Sequence, residues 1–206
     1  MDAGNETVRV EAFSDGVFAF AITLLVLELK VPTDSPGSGG LLDTLFKQWP
    51  VFLAFLTSFA TVGIMWMNHN KLFLQIKRID HWLIVLNLLL LLTVTFVPFP
   101  TEVLAEYIEG PDQHIAAMIY SGAFLLIAIC FNLLWRYASY KDRLLDEKAD
   151  PEVTKRITRD YAFGPMLYIV ALGLATINAG LSVALNLLLA VFFALPHRDA
   201  LRRHDT

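Results

Sequence analysis

Between Arg9 and Gly16 the chain reads Arg-Val-Glu-Ala-Phe-Ser-Asp-Gly and then enters an apolar run. An aspartate at the start of such a run is costly unless it is paired, wet or placed at the positive end of a helix. Two chemistries fit. Ser14 or Asp15 can cap the helix and favour its positive end, or Asp15 can join a functional polar network that folds back to Arg9. Spacing alone leaves both open. Within the run, Gly16, Phe20, Thr23 and Leu27 recur at helical intervals and share one face. Thr23 is the lone polar side chain between Gly16 and Leu27. Its hydroxyl can bond its own backbone. Alternatively, the stripe lines a narrow, mostly apolar conduit with a hydroxyl ring at Thr23, and apolar constrictions of this kind gate by dewetting.

A second polar group is Trp66-x-x-His69-Asn70. Asp15, Asp80 and His81 at the starts of apolar runs, and Asn132 and Arg136 at the end of another, fall at the same depth once the runs are laid side by side. They read either as a structural layer that fixes helix packing or as a titrating proton relay. His69 and His81 have no ligand-spaced partners for zinc. At the opposite end lie Glu28, Asp34 and Asp43, and then Glu102, Glu106, Glu109 and Asp112 with no basic residue among them. Such carboxylates concentrate cations, or they simply solvate loops. Cys130 is the single cysteine, which excludes an internal disulfide and a thiolate metal site.

The elements that must position these residues follow from composition. Of the 206 residues, 56% are hydrophobic, an excess over the roughly 45–50% of soluble domains that has to face lipid. The formal charge of −4 argues against a nucleic-acid partner. Asp2, Glu6 and Glu11 at the start of the segment that ends at Val31, with no small-x-small site before the loop, point to a retained helix rather than a signal peptide. Spans of roughly 20 apolar residues are predicted at Ala12–Val31, Trp49–His69, Trp82–Val103 (disturbed by Pro98 and Pro100) and Ile115–Tyr137. The tract Tyr161–Leu195 would be about 52 Å long as one helix. Asn178 and Gly180 near its middle suggest a tight turn, so it divides into a fifth and a sixth span. The Pro-, Gly- and Ser-rich stretch Pro32–Gly40 lacks the TVGYG run of a potassium filter and reads as a flexible loop.

Basic residues then alternate. Arg9, the group Lys71, Lys77 and Arg78, the group from Arg136 to Arg159, and the group Arg198, Arg202 and Arg203 fall on one side. Only Lys30 and Lys47 fall on the other. The positive-inside rule places both termini in the cytoplasm. The expected fold is all-α: one domain over residues 1–206, a polytopic membrane protein with six transmembrane helices in the cell membrane.

The box Arg9-x-x-x-Phe13-Ser14-Asp15-Gly16, the helix after it, and Trp66-x-x-His69 resemble the transmembrane protein 175 family of potassium channels, and the six-span plan matches over essentially the whole chain. The resemblance implies a bacterial, single-repeat member that assembles as a homotetramer around a pore lined by the first helix. It implies constricting positions at Phe20, where the family has an aliphatic residue, and at Leu27. It links Thr23 to ion selectivity, and places Arg9, Ser14, Asp15, Trp66 and His69, with Asn70 beside them, in a polar network behind the pore helix. It favours the functional reading of Thr23 and of the Phe-Ser-Asp box. The expected function is a potassium-permeable channel in the lipid bilayer with no cofactor, no catalysed reaction and no bound metal beyond permeating potassium. A secondary transporter or proton-coupled cation carrier using Asp15 and His69 is the alternative, though carriers generally show repeats and broken helices around a midplane site. A membrane enzyme would have to use His69, Asp80 and His81, with no partnered nucleophile in view.

Overall fold

The computed structural model describes residues 3–29, 40–146 and 149–194. The predicted loop lies outside these residues except for Gly40, as do Lys30, Asp34, Lys148, Arg198, Arg202 and Arg203 of the charge pattern. The described chain folds as α1 Ala3–Leu24, α2 Gly40–Lys47, α3 Trp49–Gln75, α4 His81–Thr95, α5 Pro98–Tyr107, α6 Gln113–Ser139, α7 Pro151–Ala175 and α8 Ala179–Ala194. A 3-10 turn, Leu25–Glu28, extends α1. Among the described residues four stretches are long and apolar enough to cross a membrane: Glu6–Glu28, Trp49–Gln75, His81–Tyr107 and Gln113–Asp142. The chain is therefore a multi-pass membrane protein. Ala179–Phe193 is a shorter apolar helix.

Local chemistry sets the boundaries. Asp80 caps α4, its Oδ1 accepting from the Leu83 amide at 2.9 Å. Asp150 caps α7 in the same way through the Glu152 amide at 2.9 Å, with Pro151 at the first helical position. Pro98 has no N–H, so the third crossing breaks between α4 and α5 at Phe96 and Val97. The long apolar tract breaks after Ala175, and Asn178 Oδ1 accepts from the Leu181 amide at 2.9 Å at the start of α8.

Two helices begin earlier than their apolar runs. α1 starts at least nine residues before the predicted Ala12, and α7 ten before Tyr161. Both carry charged turns out of the apolar zone. Ser14 and Asp15 consequently lie inside α1, which overturns the reading of either as its N-cap.

Pro165 sits inside α7 and deprives the Tyr161 carbonyl of its helical partner. Asn132 of α6 supplies the missing donor, Nδ2 to Tyr161 O at 2.7 Å. Trp135 Nε1 donates to Thr158 Oγ1 at 2.9 Å one turn away. The α6–α7 seam is thus fixed by polar side chains as well as by packing.

The core centres on α6, which packs against α4, α5, α7 and α8 and buries Tyr120, Phe124, Ile127, Leu134 and Trp135 completely. Half of its apolar window is buried, against 22% for α1. That contrast places α1 at the edge of the helix bundle, against α3 and α4. Beyond α6, Lys141 and Asp142 take left-handed φ values of 56° and 53° and turn the chain back. Leu145 then pairs with Ile76 in an isolated antiparallel bridge, and Arg143 and Tyr137 both donate to Asp80 Oδ2, at 2.9 and 2.7 Å.

Candidate functional site

α1 has two faces of opposite character. Ser14, Phe18, Ala21 and Leu25 are buried, each at 1% exposure or less. Gly16, Phe20, Thr23 and Leu27 each follow one of these by two residues, about 200° around the helix at 3.6 residues per turn. All four are exposed, Phe20 at 62% and Leu27 at 66%, and nothing lies within 4 Å of a Cβ placed on Gly16. Leu27 lies on the 3-10 turn rather than on α1 proper. Thr23 Oγ1 donates to Phe20 O at 2.8 Å, the backbone bond that a threonine in a membrane helix commonly makes. Phe13 and Val26 are also exposed, so the open face is wider than the predicted stripe.

Behind α1 the polar residues form two separate sets. In the first, Ser14 Oγ donates to Val10 O at 2.8 Å and accepts from Asn87 Nδ2 at 2.9 Å. Asn87 Oδ1 lies 2.9 Å from His69 Nε2. A carbonyl oxygen can only accept, so His69 donates through Nε2. The imidazole stands between Phe18 and Phe73, with ring centroids at 5.4 and 4.5 Å. Ser14, His69 and Asn87 are at most 1% exposed. One bonded chain of side groups therefore joins α1, α3 and α4. In the second set, Trp66 Nε1 donates to Asp15 Oδ1 at 2.8 Å, in an exposed position beside the first.

Several residues expected at this depth are elsewhere. Arg9 and Asn70 are exposed and belong to neither set. His81 is exposed and lies edge-on to Trp82. Asp80 serves the cap and the Tyr137–Arg143 cluster, Asn132 serves α7, and Arg136 is exposed. The single polar layer predicted from sequence is therefore several local clusters, because each helix rotates its polar groups toward a different neighbour. Glu102, Glu106, Glu109 and Asp112 are exposed on α5 and the turn after it, and α5 packs against the 3-10 turn that ends α1. Asp43 pairs with Lys47 at 2.7 Å.

Asn87 escaped the sequence reading, although a lone amide in the leucine-rich run Leu83–Leu92 was a signal. So did a buried cluster between α6 and α8. There Ser121 Oγ and Ser182 Oγ lie 2.8 Å apart and Asn186 Nδ2 donates to Ser121 Oγ at 2.9 Å. A third cluster, Ser58 with Thr101 at 2.7 Å and Tyr120 at 3.1 Å, ties α3 to α5 and α6. Among the described residues no group of three or more His, Cys, Asp or Glu side chains could hold a metal ion.

A potassium channel of Chamaesiphon minutus is 53% identical over 192 residues, which make up 93% of this chain and 95% of that one. The chain belongs to the TMEM175 family. The family pattern, described as endosomal/lysosomal potassium channel TMEM175, matches residues 9–98. That stretch contains Ser14, Asp15, Trp66, His69 and Asn87, so both bonded sets lie in the part of the chain that defines TMEM175 proteins. A potassium channel of Streptomyces collinus is 42% identical over 202 residues, 95% of this chain and 98% of its own. The crystal structure of a lysosomal potassium-selective channel TMEM175 homologue from Chamaesiphon minutus superimposes with a TM-score of 0.82 at 48% identity. It covers 92% of this chain and 97% of that one.

Proposed function

We propose that this TMEM175 protein is a potassium-permeable channel that conducts as a homotetramer, with Gly16, Phe20, Thr23 and Leu27 of each copy lining an axial pore. The observation that carries the reading is the two-faced α1. Its polar and aromatic face is locked into the protomer by Ser14, Asp15 and Phe18, while the face bearing Phe20, Thr23 and Leu27 is left open. One subunit cannot enclose a pore lined by equivalent first helices, so a closed ring of copies is required. The bacterial relatives named as potassium channels supply the ion. Phe20 and Leu27 form the apolar constriction, and Thr23 sets ion preference.

The same reading has six crossings with both termini in the cytoplasm. The distribution of basic residues supports it, as does the antiparallel packing of α7 and α8 around the Asn178 turn. α8 is 16 residues long, about 24 Å, and needs the residues after it or a thinned bilayer to complete a crossing. Arg9, Ser14, Asp15, Trp66, His69 and Asn70 support the pore helix from the cytoplasmic side, Arg9 and Asn70 from outside the bonded sets. Purified protein in liposomes, assayed for potassium and sodium flux under matched gradients, tests the proposal. Flux that grows linearly with driving force and is larger for potassium is expected. Saturable, turnover-limited exchange would show a carrier instead.

A further inference from the structure

α2 is a short amphipathic helix with an open apolar side. At 3.6 residues per turn, Leu41, Leu42, Leu45, Phe46 and Trp49 fall on one side of it, and Asp43, Thr44, Lys47 and Gln48 on the other. The polar side is satisfied within the helix: Lys47 pairs with Asp43, and Thr44 Oγ1 donates to Gly40 O at 3.1 Å. The apolar side is not covered by the protomer, with Leu42 70% and Phe46 77% exposed. Gly40 starts the helix with φ +73°, a left-handed conformation that glycine adopts without strain.

We propose that α2 lies in the membrane–water interface, with its apolar side sunk among lipid acyl chains and its polar side turned to headgroups and water. Three features name lipid as the occupant. α2 joins α3 through Gln48 alone, so its level is that of the end of a spanning helix. His69 is 20 residues further along α3, about 30 Å at 1.5 Å per residue, which is one hydrocarbon thickness from this end. The first turns of α3 beyond the junction also expose apolar side chains, Phe52, Leu53 and Leu56, that must face lipid. Finally, Trp49 stands at the junction, where indoles favour the interface, and Lys47 has the long stem that lets an ammonium reach headgroups. Strong asymmetry with low overall hydrophobicity is the pattern of helices that lie on a membrane rather than span it. The inference does not depend on which ion the pore conducts.

The test uses the full chain in liposomes, with a small environment-sensitive fluorophore on single cysteines introduced as Leu42→Cys, Asp43→Cys, Phe46→Cys and Lys47→Cys in a Cys130→Ala background. Labels at 42 and 46 are expected to be quenched several-fold more by lipids brominated in the acyl chains than labels at 43 and 47. Aqueous iodide should give the reverse order. Equal access of iodide to all four positions would overturn the proposal. So would cross-linking of Phe46→Cys between copies without bromine quenching, which would put a second copy of the chain over α2. Hydroxyl-radical footprinting of the unsubstituted protein in nanodiscs is a second readout that needs no variant. Leu42 and Phe46 should be shielded there, and oxidation of both at the rate of water-exposed side chains would equally overturn the inference.

Discussion

The Trp66 indole donates to Asp15 Oδ1 at 2.8 Å and so ties the middle of α1 to α3, 51 positions away in sequence. The preceding residue, Ser14, faces the interior of the helix bundle and is bonded to Asn87. Two consecutive side chains therefore hold the rotation of α1, and with it the direction in which Phe20, Thr23 and Leu27 point.

Trp66→Phe should lower the melting temperature in detergent, by the equivalent of about 1 kcal/mol, because it deletes a bond to a charged acceptor that is partly solvated. Asp15→Ala should impair folding or assembly more than it alters ion preference, since it removes the side chain that ties α1 to Trp66 of α3. Size-exclusion profiles and thermal melts check both. An Asp15→Ala protein that assembles normally and changes only its ion preference would put Asp15 on the pore instead.

Asn87→Leu should be the most damaging single change in the buried set, costing roughly 1–3 kcal/mol, because it strands the His69 donor away from water. Replacing both partners, as in Asn87→Leu with His69→Phe, removes the stranded group. The pair should be more stable than Asn87→Leu alone. Melts of the three proteins decide the matter, and simple additivity of the two losses would refute the picture.

Asn132→Leu should destabilise the α6–α7 seam by about 1–2 kcal/mol by leaving the Tyr161 carbonyl bare. In a Pro165→Ala background the restored amide can bond that carbonyl, and Asn132→Leu should then cost much less. A double-mutant cycle measures the coupling. Equal costs in the two backgrounds would mean that Asn132 is not compensating for the proline.

Thr23→Ala should lower the preference for potassium over sodium while current persists, because a hydroxyl ring supplies oxygens that partly replace ion-bound water. Leu27→Ala and Phe20→Ala should raise current, and Leu27→Asn should raise it most, since a wetted ring no longer gates by dewetting. Reversal potentials and conductances under matched gradients report each. Conductance unchanged in all of them would remove α1 from the pore wall.

The apolar tracts, the break at Pro98 and the turn at Asn178 were legible because each depends on a few neighbouring residues: a missing N–H at Pro98, and a side-chain acceptor at Asn178. The helix starts were not legible from hydropathy. Apolar content marks where a helix enters lipid, whereas α1 and α7 continue as helices through Glu6–Glu11 and Glu152–Asp160. The polar layer was misread for a related reason. Depth along a helix follows from counting residues, but partners follow from rotation and from which helices are neighbours. Asn87 reaches Ser14 and His69 only because α4 packs beside α1, and Asn132 turns to α7 because of a proline in a different helix. α2 was not foreseen, because eight residues between a Pro- and Gly-rich stretch and Trp49 are too few to register as a span.

The Phe20 carbonyl holds the hydroxyl proton of Thr23. A hydroxyl carries one proton, and here it is committed to the helix, so what Thr23 can present toward an axis is lone pairs alone. In the proposed ring of copies with Thr23 on the axis, such oxygens would offer nothing to an anion. Chloride at that level would shed its water and meet acceptors only, while a monovalent cation would meet ligands. The sign of the permeant charge would thus be chosen without any charged residue in the wall, by a proton already bonded to the backbone.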